Sequence, residues 1–346
     1  MKNRFSTLLA LSILALVGVG CSWLPAFIGD RGKHVPSYAL SPDGKQIALS
    51  ANDGDLYLLD LESKKVTQLT KTSAYEKRPS FSPDGRSLVY VSEPSGDKFS
   101  SRVFRMQTDT REITQLTNDR GICDNNPHFS RDGLRIVFAR ATRNNGDPNV
   151  RDLWNDYDLY VMNADGSGLK RITNGLYQRE LDARFSADGS NLIFNGTYFP
   201  SNSGPLTSEI LKIKADSSDK GPSVIVQAEL RRSEDGEKYA VEYGSPYISP
   251  DGNSILFGFD KKVRLFDMTT KAFTDLNVKK PNGNGGGPFD TVFTPDGKRA
   301  LVLISIFREN SGPDYSLWSF DIDGKDQKNI VDQEFFANPL EWKPKN

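Results

Sequence analysis

FSPDGRSLVYVS, residues 81–92, decides the fold of this chain. Pro83 sets φ at the second position of a tight turn, Asp84 can bond back to its own backbone, and Gly85 suits a left-handed conformation. The tetrad therefore reverses an extended run onto the apolar run Leu88–Val91. It recurs at Ser41 (SPDG), Ser82 (SPDG), Ser130 (SRDG), Ser186 (SADG), Ser249 (SPDG) and Thr294 (TPDG). A short extended stretch precedes each copy and an apolar one follows, so each copy reads as a β-hairpin.

Successive tetrads lie 41, 48, 56, 63 and 45 residues apart, close to the ~40 to 50 residues of a four-stranded propeller blade. One unit is legible from Pro79 to Thr117: strand A (PSFS), the turn, strand B (SLVYVS), a loop, strand C (RVFRMQ), a turn (TDTR) and strand D (EITQLT). The expected fold is all-β, a six-bladed β-propeller with four antiparallel strands per blade over residues 35–346. NPLEWKPKN, 338–346, looks like a seventh strand A. A six-fold ring has room for only one of that segment and the first strand near Val35–Leu40.

These tetrads, with an aromatic two positions before the Pro in Phe81 and phrases such as LYVMNADGSGLKRIT (159–173), resemble the TolB-type six-bladed propeller family. The same repeat builds the propellers of prolyl-oligopeptidase-like peptidases. The matching residues are turn and core residues, so the resemblance implies a fold far more than an activity. TolB itself carries an α/β domain before its propeller, whereas residues 21–34 read as a linker. The peptidases carry a hydrolase domain, and no G-x-S-x-G elbow occurs here.

Residues 1–20 read as an export signal, with Lys2 and Arg4 ahead of an apolar run ending in Gly18-Val19-Gly20-Cys21. Cys21 then resembles the acylated Cys of bacterial lipoproteins, which implies a lipid-anchored envelope protein, either on the outer membrane facing the periplasm or on the extracellular side. With Cys21 acylated, Cys123 has no partner for an intramolecular disulfide. Without Lys2 and Arg4 the basic residues number 42 against 45 acidic. That balance provides no field for polyphosphate, so nucleic acid is not an expected partner.

Strand A is innermost, so residues just before it are expected to ring the channel mouth. Aligned on the tetrads, Arg78, Asn126, Asp182, Ser245 and Asp290 share one level, with Glu76, Asp124 and Glu180 one level further out. Tyr75, Tyr177, Phe289 and Phe336 are expected as rim aromatics. Converging polar groups suit a protein, peptide or glycan ligand; a water-filled polar channel would show the same residues. The site is expected on the face of the B-to-C and D-to-A loops, where insertions at 142–157, 197–208, 229–243 and 308–314 gather.

No catalytic residue, cofactor or metal site is expected, and the protein is expected to be a monomer. His34 and His128 are the chain's two histidines, and there is no H-E-x-x-H, C-x-x-C or phosphate loop. Pectate-lyase-like propellers rely on a metal and several histidines. Asp147, Asp152, Asp156 and Asp158 read as an exposed acidic loop, and Cys123 as a buried small residue despite His128 five positions on. The rival reading is a hydrolase or lyase on envelope or extracellular carbohydrate or lactone, using Glu76, Asp124, Glu180, Asp182 and Asp290.

Overall fold

The computed structural model describes residues 35–344 apart from 95–99, 120, 143–156, 176, 178, 199–206, 233–237, 242, 261, 277, 279–287 and 308–312. Each tetrad makes the turn its residues dictate. In the first, Ser41 Oγ meets Asp43 Oδ1 at 2.6 Å, Lys45 N donates to the same carboxylate at 3.0 Å, and Gly44 N closes the turn on Ser41 O at 2.9 Å. The glycine sits at φ 72°, and its counterparts lie between 69° and 80°, a region that favours glycine. In all six turns the aspartate is held below the usual carboxylate range, chiefly by the Ser or Thr hydroxyl.

Six four-stranded antiparallel blades follow. Blade one is Tyr38–Leu40, Gln46–Ser50, Leu56–Asp60 and Val66–Gln68; blade two is Tyr75–Phe81, Ser87–Glu93, Arg102–Gln107 and Ile113–Gln115. Blade three is Ile122–Phe129, Arg135–Thr142, Tyr157–Asn163 and Lys170–Arg171; blade four is Arg179–Phe185, Asn191–Tyr198, Thr207–Lys214 and Ser223–Val226. A single parallel pairing, Tyr157 with Arg179, joins these two into one sheet. Blade five is Tyr247–Ile248, Ser254–Phe259, Lys262–Asp267 and Phe273–Leu276; blade six is Pro288–Phe293, Arg299–Phe307, Pro313–Asp321 and Lys328–Val331. Between blades four and five, Leu230–Arg232 pairs with Lys238–Ala240 as a separate hairpin.

The ring is closed by packing. Tyr38–Leu40 takes the inner position of blade one, and the expected seventh strand A does not form. Asp332 caps a one-turn helix, Gln333–Ala337, by accepting from Glu334 N. The helix drives Phe335 and Phe336 into a core shared by blades one and six, with Leu49, Tyr57, Leu303 and Leu317. Phe336 O accepts from Asn52 N at 3.0 Å, and Trp342 folds back so that its Nε1 donates to Asp332 at 3.1 Å. Phe336, expected as a rim aromatic, is 2 % exposed and is a core residue.

Candidate functional site: the central channel

The side chains of strand A meet at the axis because the strand carries an irregularity there. In blades two, three and four two residues oppose one on strand B, and the extra residue is Arg78, Asn126 or Asp182. These adopt φ of 55°, 50° and 55°, left-handed values that Asn and Asp tolerate and that strain Arg by about 1–2 kcal/mol. Blade six shifts register between Pro288 and Asp290. Blade one pairs regularly, with Tyr38 opposite Leu49.

Four of the five residues expected at one level are thus brought into one electrostatic neighbourhood. Asn126 Nδ2 donates to Asp182. Burial pushes the Asp290 carboxyl up, Arg184 and Arg78 oppose this, and Asp182 adds to it. Ser245 is buried. Ser37, at the same offset from its tetrad, completes the level in blade one, accepting from Arg78 N at 2.7 Å through Oγ. The offset alone would have found it.

The outer set is placed differently. Glu76, Asp124 and Glu180 are buried. The hydroxyls of Thr70, Thr117 and Thr173 accept from the strand C amides Leu56 N, Val103 N and Leu159 N at 2.8–2.9 Å. Thr70 and Thr117 also donate to Glu76 and Asp124 of the following blade, at 3.2 and 2.6 Å. The carboxylates therefore tie one blade to the next. Asp124 is further held by Arg140, at 2.7 Å from Nε and 3.0 Å from Nη2. Among the described residues neither oxygen of Glu180 has a partner within hydrogen-bond geometry, and burial pushes its carboxyl up to about 8, with the nearby Thr173 hydroxyl opposing the shift and Asp158 adding to it.

Of the other expected residues, Tyr75 is half-buried with the Lys77 ammonium 5.6 Å from its ring centre, Lys77 being paired with Glu93. Tyr177 packs edge-on against Tyr198, and its hydroxyl donates to Glu209 at 3.3 Å. The Phe289 side chain, Cys21, and Asp147, Asp152 and Asp156 lie outside the described residues. Asp158 is a buried strand residue bonded to Arg171, Thr173 and Gly175, not part of an exposed loop. Cys123 is buried against Ser101 and Tyr157. It is not a free thiol, contrary to expectation. Among the described residues no group of three or more His, Cys, Asp and Glu could hold a metal ion.

A cavity of about 400 Å³ opens at the end of the channel ringed by the tetrad turns, not at the loop face where the site was expected. The turns leave that end open because they lie side by side around it. Gly44 stands beside Pro295, Gly85 beside Pro42, Gly133 beside Pro83 and Gly297 beside Pro250, each proline leaning on the glycine of the next blade. Every blade contributes to the cavity: Tyr38, Phe81, His128, Arg184, Tyr247 and Phe293 are one contribution from each. His128, Arg184 and Tyr247 lie two residues before their tetrads, a signal present in the sequence at an offset not selected. Arg184 Nη1 lies 3.1 Å from His128 Nδ1, and the Arg184 guanidinium lies 4.2 Å from the Tyr247 ring centre.

Fold and cavity define a six-bladed β-propeller with an open axial cup. Residues 27–155 match the family model described as the TolB beta propeller domain. The chain is 30% identical over 147 residues to the uncharacterized protein Atu1656 of Agrobacterium fabrum, covering 40% of this chain and 47% of that one. It is 32% identical over 130 residues to the Tol-Pal system protein TolB of Francisella tularensis subsp. mediasiatica, covering 38% and 26%. The chain thus spans less than half the length of either curated relative. Among solved structures, TolB from Acinetobacter baumannii superposes with a TM-score of 0.55 at 19% identity, over 85% of this chain and 62% of that one. An oligogalacturonate lyase in complex with manganese gives 0.51 at 16%, over 81% and 75%, a likeness of fold alone. Repeat, architecture and family match together show a six-bladed β-propeller similar to the TolB type.

Proposed function

We propose that the chain is an exported envelope protein that acts by binding, holding a protein, peptide or glycan ligand at the tetrad-turn end of its channel. The observation that carries this is the axial cup, to which all six blades contribute, with Arg78, Asn126, Asp182 and Asp290 beneath it. Similarity to a protein named for the Tol-Pal system supports a protein partner in the envelope. A rigid ring positions the rim, and no covalent step is assigned to it.

A photo-crosslinking residue at Ala187, on the rim, should capture a ligand in the native envelope. The same residue at Ile113, on an outer strand, should not. Equal capture at both positions, or capture unchanged when Arg78, Asp182 and Asp290 are replaced by alanine, would sink the reading.

A further inference from the structure

The cup at the turn face has a one-sided chemistry. Phe81, Phe129, Phe185, Ile248 and Phe293 make its walls apolar, its charged lining residues are Arg131 and Arg184, and no carboxylate lines it. Arg184 is held from three sides: Nε donates to Pro246 O at 3.2 Å, Nη1 meets His128 Nδ1 at 3.1 Å, and the guanidinium stacks on Tyr247. A guanidinium can only donate, so His128 accepts at Nδ1 and carries its proton on Nε2. Burial, with Arg184 and Arg78 nearby, pushes the His128 imidazolium well below its usual range, so the ring is neutral.

The remaining Arg184 nitrogen, Nη2, has no hydrogen bond among the described residues, and Arg184 has no ion pair there. Arg131 reaches from blade three to the carbonyls of Ser249 and Pro250 in blade five, at 3.3 and 2.5 Å, and also meets no carboxylate among the described residues. The acids of the channel lie outside the lining: Asp182 accepts from Asn126, and Asp290 accepts from Thr291 N.

A fixed cation with no carboxylate in ion-pair contact among the described residues, set in an apolar cup, complements an anion that carries an apolar body. We propose that this cavity binds an organic acid, its carboxylate on Arg184 with Arg131 at the rim, and its aromatic or branched body against the phenylalanine wall. The volume suits a body of about one aromatic ring to one dipeptide. The acid is therefore either a free small molecule or the C-terminus of a peptide. This deepens, and rests on, the reading of the turn-face cup as the binding site.

The test is calorimetric titration of the full chain with 3-phenylpropionate and with N-acetyl-alanyl-phenylalanine, each beside its neutral amide. The expected result is an acid bound at least about ten-fold more tightly than its amide, a difference of about 1.4 kcal/mol. Preference for the first acid indicates a free ligand, and preference for the second a peptide terminus. Arg184→Met, which keeps the stem on Tyr247, should weaken the acid by a similar factor and leave the amide unchanged. If that variant does not fold, the contrast between acid and amide on the native chain decides alone. Acid and amide bound alike, or an acid indifferent to Arg184→Met, overturns the anion class and leaves the cup a binding site. No binding of any probe, with crosslinking at Ala187 intact, also overturns the class; loss of that crosslink withdraws the underlying reading.

Discussion

Gly44 of the first blade stands beside Pro295 of the last, the same relation that Gly85 has to Pro42 and Gly297 to Pro250. The ring therefore closes at its turns in the way its internal joints do, although no strand is shared between the ends of the chain. What is special to the closing joint is its core, where Phe335 and Phe336 fill the space between blades one and six. Phe335→Ala should lower the stability of the whole ring by about 3–5 kcal/mol, as large cavities in cores do. Denaturant titration checks this, and a loss under 1 kcal/mol would show that the helix is peripheral to closure.

Glu180 should make stability fall as pH rises. Burial pushes the carboxyl up to about 8 in the fold from an ordinary value of about 4.5, so between those values the folded state holds a proton that the unfolded state has released. Its contribution is fully present below about 4.5 and is lost as pH rises to about 8. Glu180→Gln keeps the shape and removes the charge. It should be the more stable protein at pH 8.5, by on the order of 2–4 kcal/mol, with the gap closing toward pH 4.5. Parallel pH profiles for the two proteins would contradict the assignment.

Asp124 and Arg140 form a buried pair that separates a binding residue from a structural one. Arg140→Ala leaves Asp124 buried with its hydroxyl partner Thr117 but without its cation, and should cost about 3–5 kcal/mol. Ligand capture at the rim, measured below the unfolding transition, should be unchanged. Loss of capture with stability intact would return Asp124 to the site.

The Arg184 to His128 contact predicts the opposite pH sign from Glu180. The folded imidazole resists protonation, so its contribution is fully present above about pH 6.5 and is lost as pH falls below that value. The slope should be about 1.4 kcal/mol per pH unit at most. His128→Asn should flatten the stability profile between pH 6.5 and pH 5. Nitrogen chemical shifts of the native ring should report a proton on Nε2 at pH 7, and a proton on Nδ1 would refute the contact.

By itself the sequence determined the number of blades, the strand order within each, and the register of every turn. Those depend on neighbours in the chain: a hydroxyl and a carboxylate two residues apart, and a glycine where φ must be positive. It also determined that Arg78, Asn126 and Asp182 share a level, since a common offset from a common turn is a local fact. Only the tertiary structure decided which polar residues face the axis and which tie one blade to the next. Glu76 and Asp124 stand two positions from that inner set and accept from Thr70 and Thr117 of the preceding blade. Only tertiary structure likewise placed the cup at the turn face, because each proline leans on the glycine of the next blade and leaves the axis uncovered. Arg184 and His128, 56 residues apart, become partners for the same reason: a ring brings equal offsets together whatever the sequence distance between them.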